Sequence, residues 1–532
     1  MSWFANLAKT YGRLSEIVGK PDAKGNVLLP PCHMAVNTEI CVTINDKGEF
    51  LRAEKSKENI IIPCTDDSAS RSGKAIFPHP LHDQIGYLIA DKSKRVAYLS
   101  QLEKWKGSHK KVNAVYKYVA GGTLINDLRM CDLKTDSKLF VSFSVETTLD
   151  DLISHLWKDD SVAEAWQTFC RQTETEDKTL CYVTGELAVI RTKHPKGINP
   201  SVNGAKVISC NDDKNYTYRG RFAEPDQANA IGAKASHSAH AMLRYLISTQ
   251  GYKCGSQAIV AWAVDDGSAA FCPIADSYGI YDNDHQTELD KVIEAQSKVN
   301  DKHYAKMYSN AINGIGNITK LNEGMRQIAV IAVDAATTGR MAVTFYKDLP
   351  ENEYTKRIKN WHEQCCWWFR YKGVEYLSAP RADRIIAAVY GELKGKNNNQ
   401  IKKLGRERIL HCIINSERIN SGWLASAVQR VSNPFSYSKQ EGGWDKNRWE
   451  NAISVTCAIA RKYFIDKKEE FSLELDKTCN DRSYLYGRLL AIGDAIEGHA
   501  RSLQIGREDT DKRPTNAVRY MAAFATRPFR TW

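Results

Sequence analysis

Strand patterning stops partway along this chain, and that change limits its fold more than any other feature. Up to about residue 350, short stretches alternate apolar and polar residues with the period of two that buries one face of a strand. Thr38–Ile44 reads TEICVTI, Asn45-Asp46-Lys47-Gly48 turns, and Glu49–Ala53 returns, which predicts a hairpin. Further strands are expected at Asn59–Cys64, Leu139–Val145, Cys181–Val183, Ala205–Ser209, Gln257–Val264 and within Ile328–Tyr346. Helical segments interleave. The first places Trp3, Phe4, Leu7, Tyr11, Leu14 and Val18 near one face. Others are Leu81–Leu128, broken at Gly107 and Gly121-Gly122, then Thr148–Gln172, Lys234–Thr249 and a polar insert at Asp282–Asn322.

From Asn352 onward the helical period dominates, in Glu353–Phe369, Arg381–Lys394, Gly405–Asn415, Gly422–Val431, Arg448–Phe464 and Ser483–Ile505. The first part follows no regular β-α-β order, so its sheets should pair mainly antiparallel. The expected fold class is α+β: a mixed, mainly antiparallel-sheet N-terminal body followed by an all-α C-terminal helical bundle. The expected regions are 1–130, 131–350 and 351–532. A chain of 532 residues is too long for one ordinary core.

Charge follows the same division. The chain carries a net +11, and Arg381 to Trp532 alone holds 27 Lys and Arg against 18 Asp and Glu. A nearly neutral body with a basic end is the footprint expected of a protein that tracks a phosphate backbone; ordinary solvation of a helical surface is the plainer alternative. No apolar stretch approaches the roughly 18 residues of a membrane helix. The first 20 residues lack the apolar core and cleavage site of a signal peptide, which predicts a cytoplasmic protein without membrane contact. The 14 cysteines show no C-x-x-C pair and no Cys/His spacing for zinc, as expected of reduced core cysteines. No metal and no cofactor are expected.

No motif announces catalysis. The chain has no phosphate-binding G-x-x-x-x-G-K-[ST] loop, no G-x-S-x-G elbow and no H-E-x-x-H. His79-x-x-His82-Asp83 contains prolines on both sides of His79 and reads as a rigid corner, and His194-Pro195 as a conformational device. No catalytic residue is assigned, and the expected class is a non-enzyme. A nucleic-acid-processing nuclease with a dispersed, unrecognised site is the alternative.

Binding residues are more legible. Ser68, Ser70, Arg71, Ser72, Gly73 and Lys74 make a small-residue loop with two cations. Its amides and hydroxyls could approach phosphates or a groove edge, with Arg71 or Lys74 supplying charge; a solvated turn is the other reading. Lys104, Lys106, Lys110 and Lys111 surround Trp105, either for backbone contacts or as a solvated helix face. Lys193 and Lys196 flank His194-Pro195, and Lys402, Lys403, Arg406 and Arg408 fall within two helical turns. All are candidate contacts to a nucleic-acid backbone. Trp367-Trp368 and Trp444 with Trp449 read as core or interface aromatics.

Three segments in order resemble one family. Cys181 to Asn211 reads CYVTGELAVIRTKHPKGINPSVNGAKVISCN, Ser70-Arg71-Ser72-Gly73 precedes Pro78-His79-Pro80-Leu81, and Ile328 to Tyr346 reads IAVIAVDAATTGRMAVTFY. They resemble the signature of the Cas8-type large subunit, the Csd family, of the type I-C CRISPR Cascade complex. The resemblance implies a protein that recognises a short PAM duplex through the Ser68–Lys74 loop and helps form the R-loop. It also implies recruitment of a Cas helicase-nuclease that cuts. The implied partners are crRNA, double-stranded target DNA with its displaced non-target strand, the backbone and crRNA-processing subunits, and a small subunit.

Overall fold

A computed structural model of the protein describes residues 2–71, 75–147, 152–173, 178–191, 193–202, 204–208, 222, 227, 229–277, 326–335, 337–371, 374–393, 398–437, 444–504 and 514–532. The chain divides into two compact units. Met1–Ala269 with Ala329–Asp348 forms one, and Ala270–Ile328 with Leu349–Trp532 the other. Ser72, Gly73, Lys74 and the expected insert at 282–322 lie outside the described residues.

In the first unit β1 (His33–Asn37) pairs antiparallel with β4 (Asn59–Pro63). Between them β2 (Ile40–Asn45) and β3 (Phe50–Lys55) make the expected hairpin. Its turn uses Gly48 at φ +87°, where a Cβ would come within 2.7 Å of the Ala114 carbonyl, so only glycine fits. Asn45 Oδ1 accepts from the Lys47 and Glu49 amides at 3.0 and 2.9 Å and closes the turn. The short β5 (Asp83–Gln84) and β6 (Phe140–Glu146) complete a sheet of order β3-β2-β6-β5, with β2 and β6 parallel. A segment expected to open the second region thus finishes the sheet of the first. Helices Lys92–Glu103 and Lys110–Gly121 close one core, where Val42, Ile44, Val141 and Phe143 meet Leu102, Trp105, Val115 and Tyr118.

A second core of the same unit is built on the strand order β12-β11-β10-β9. β9 (Tyr252–Cys254) and β10 (Gln257–Ala263) form a hairpin, and β11 (Gln327–Ala335) and β12 (Met341–Pro350) follow. Every residue of β10 is buried, which its QAIVAWA sequence requires on both faces. Helix Trp3–Arg13, capped by the Ser2 hydroxyl, packs on helix Ala233–Gln250 and places Phe4, Leu7 and Tyr11 in this core. Thr10 ties the layers together: its hydroxyl donates to the Val264 carbonyl at 2.8 Å and accepts from Trp262 Nε1 at 3.1 Å.

Three local expectations shift. The helix expected over Thr148–Gln172 runs only over Asp160–Thr173. Lys111 takes the Ile153 carbonyl at 2.7 Å, an oxygen that a continuous helix would give to residue 157. In the signature segment, β7 (Lys178–Leu180) and β8 (Leu187–Val189) pair ahead of and behind the expected Cys181–Val183 strand. Ala205–Ser209 supplies one bridge, Lys206 to Arg340, instead of a strand, with Ser209 outside the described residues.

The second unit contains helices Glu351–Gln364, Ala382–Tyr390, Asn399–Ile414, Ser421–Val431, Lys446–Asp466 and Arg482–Gln504. Its core includes Ile385, Ile386, Leu410, Ile413 and Ile459. Gly405 permits the close crossing of two of these helices, since a Cβ there would lie 2.7 Å from Ile386. A hairpin, β13 (Trp367–Tyr371) with β14 (Val374–Ser378), interrupts the helical series. WWFRY and VEYLS are rich in aromatic and β-branched residues, and strand preference ends the first helix five residues before Phe369.

Candidate nucleic-acid interface

The small-residue loop begins in helix Asp66–Ser70. Thr65 caps it in a reciprocal box with Ser68: the Ser68 amide donates to Thr65 Oγ1 at 3.1 Å, and the Thr65 amide to Ser68 Oγ at 2.9 Å. Ser68 is buried, and the Ser70 hydroxyl turns back to the Asp66 carbonyl. Both hydroxyls therefore serve the helix and are not presented to a groove edge.

Arg71 is committed as well. Its guanidinium donates to both carboxylate oxygens of Asp83, at 2.9 and 2.7 Å, and to the Phe77 carbonyl at 3.2 Å. It also lies 4.5 Å above the centre of the Tyr87 ring. Asp83 is fully buried and accepts two more bonds, from the His79 and Gln84 amides, both at 2.7 Å. Burial pushes the Asp83 carboxyl up, and the Arg71 charge and these amides oppose it. The expectation that Arg71 is free to read a base edge is therefore replaced by a positioning role: it locks the start of the loop to the Pro78–Asp83 corner.

That corner is core. His79 and His82 are buried, and burial drops the His82 ring to about 3. Phe143 donates its amide to His82 Nδ1 at 3.1 Å, while Trp105 Nε1 reaches the Pro80 carbonyl at 3.2 Å. Among the described residues no group of three His, Cys, Asp or Glu side chains is arranged to hold a metal ion.

Cations of the signature segment come to this helix from more than 120 positions away. Lys193 pairs with Asp67, Arg191 with Asp66, and Lys196 Nζ donates to the Arg71 carbonyl at 3.1 Å. Two of the three family-like segments are thus joined in space. Burial lowers the Lys196 pKa, and the neighbouring Lys206 and Arg71 charges lower it further. Sequence reasoning misses the roles of Asp66, Asp67, Asp83 and Arg191. A signal for the first two lies in Thr65-Asp66-Asp67, an N-cap followed by acids placed to hold cations.

The remaining candidates separate by burial. Lys104 and Lys110 are exposed, and Lys106 pairs with Glu103 at 2.8 Å beneath the Tyr116 ring. Lys111 is buried, donating to Asp159 at 2.5 Å, and Trp105 is buried in the core, so neither can contact a strand. In the second unit Arg408 is exposed and Lys402 half-buried, but Lys403 and Arg406 are buried. Arg406 pairs with Asp383 at 2.6 Å. The expected four-cation cluster is divided between two faces of one helix. Among the described residues, no helix is long and apolar enough to cross a membrane.

No curated protein matches the chain. A family model described as CRISPR-associated protein (Cas_Csd1) matches residues 7–532, which takes in the Arg71 corner, the signature segment and all the helices of the second unit. The chain belongs to the Cas_Csd1 family of CRISPR-associated proteins.

Proposed function

We propose that the chain is the non-catalytic large subunit of a type I-C Cascade. In this reading it recognises the PAM in double-stranded DNA, helps open the R-loop and recruits the helicase-nuclease. The observation that carries the proposal is the junction of Lys193 and Lys196 with helix Asp66–Ser70, where the signature segment meets the helix that leads into the Arg71 corner. Base pairing between guide and target would then supply most of the sequence reading, and the protein a short duplex element. The basic second unit would follow phosphates of the displaced strand.

The test is reconstitution with guide RNA and the backbone subunits, followed by binding to target duplexes in which the PAM positions are randomised. PAM-selective binding that requires this chain is expected. Binding that is equally tight for every PAM, or is unchanged when the chain is omitted, removes the proposal. Robust cleavage of DNA or RNA by the isolated chain with Mg²⁺ or Mn²⁺, abolished by one carboxylate substitution, would replace it with the nuclease reading.

A further inference from the structure

A cleft of about 550 Å³ in the first unit is lined by Arg191, Lys193, Lys196 and Arg244, with Asp66 as the one carboxylate among its described lining residues. Three of these cations are engaged by Asp66, Asp67 or the Arg71 carbonyl. Arg244 is different. It is half-buried on helix Ala233–Gln250 and has neither an ion-pair nor a hydrogen-bond partner among the described residues. Burial lowers its pKa, a sign that the folded chain holds this charge at a cost.

The walls sharpen the effect. His33, His194, His237 and His240 also line the cleft, and burial holds these rings near 3 to 4, hence neutral at pH 7. Uncharged walls beside Arg244 and Lys196 leave the field of these two cations to act on whatever anion enters. His240 is 2% exposed, its Nδ1 donates to the Ser236 carbonyl at 2.7 Å, and its Nε2 is an acceptor with no partner among the described residues, suited to a hydroxyl donor and not to the phosphate itself.

We propose that this cleft is a phosphate-binding site that takes a backbone phosphate of a single-stranded nucleic acid, with Arg244 and Lys196 as its main cations. Its volume suits one nucleotide unit and is too small for a duplex. The nucleic-acid source of the phosphate rests on the proposed function; the anion site itself does not.

Purified full-length wild type and Arg244→Met are compared in three arms: a labelled RNA of about 12 nucleotides, the DNA strand of the same sequence, and inorganic phosphate. Without ligand, Arg244→Met should unfold at the same temperature as wild type or higher, because a half-buried charge with no partner among the described residues has been removed. Its strand affinity should fall about tenfold, with a salt slope shallower by about one. Phosphate should raise the wild-type unfolding temperature and leave that of Arg244→Met unmoved, and Lys196→Met should weaken strand binding in the same direction. The arm with the larger loss identifies RNA or DNA as the source. A variant that unfolds earlier yet keeps wild-type affinity and wild-type phosphate stabilisation would show a structural arginine and overturn the site. Loss of PAM selectivity in the reconstituted complex, with the Arg244 dependence intact, would leave the cleft standing and remove only the functional reading.

Discussion

Arg71 belongs to the first unit and Arg406 to the other, and both stand in segments that offer cations to a ligand. Each pairs with an aspartate, 12 or 23 positions away. The difference lies in the aspartates. Asp83 is sealed from solvent and accepts from Arg71 and two amides, whereas the Asp383 side chain keeps 31% exposure. A cation opposite a sealed carboxylate belongs to the fold; one opposite a partly wet carboxylate contributes less to it. Charge counting along a sequence cannot make that distinction, because burial decides which cations remain for a ligand.

The sharpest way to break this comparison is to remove the two arginines in turn. Arg71→Ala leaves Asp83 buried without its countercharge and should cost about 3–5 kcal/mol in urea denaturation of the first unit. Arg406→Ala should cost about 1–3 kcal/mol. Equal losses would mean that the exposure of the aspartate does not matter. Replacing both partners, as Arg71→Met with Asp83→Leu, should recover much of the larger loss.

Acid should separate the units next. Burial holds His33 and His240 near 4, and His82, His194 and His237 near 3, in the first unit. In the second unit His362 is held near 4 by the same cause. Each ring is neutral in the fold, while the unfolded chain binds protons below about pH 6.5. This stability is therefore fully present above about pH 6.5 and is lost as pH falls toward each ring's folded value, about 4 or about 3, on the order of 1–2 kcal/mol per ring at about pH 5. Pulse proteolysis with mapped peptides at about pH 7 and about pH 5 should show the first unit opening at lower urea in acid, with a smaller shift in the second. Equal shifts would dissolve the contrast.

The smallest expected effect concerns the outward cations. Lys402→Ala with Arg408→Ala should change stability by no more than about 0.5 kcal/mol. If these residues meet phosphates, the salt slope of target binding should fall by up to about two. An unchanged slope would assign them to solvation.

Legibility followed range. The hairpin β2–β3, the fully buried β10 and helix Ala233–Gln250 are local patterns, and each falls close to its expected place. The hairpin at Trp367–Ser378 was hidden because helical spacing runs straight into its aromatics. The parallel pairing of β2 with β6 joins segments about 100 positions apart, which no periodicity records. The cleft was partly readable: His237, His240 and Arg244 stand at i, i+3 and i+7 on one helix, and all three line it. Two imidazoles followed by a cation on one face are a pattern, but only the distant Lys196 arm makes it a site.

The parallel pairing of β2 and β6 also sets a timetable for synthesis. Ile40–Asn45 leaves the ribosome with β3 close behind, but the other edge of β2 has no neighbour until Phe140–Glu146 emerges. At about 5–20 residues per second, that edge stays open for roughly 5–20 s, an interval in which another nascent chain could pair with it. A ribosome-arrested chain stopped before Phe140 clears the exit should be cut by protease within β2. A chain in which Glu146 has emerged should resist.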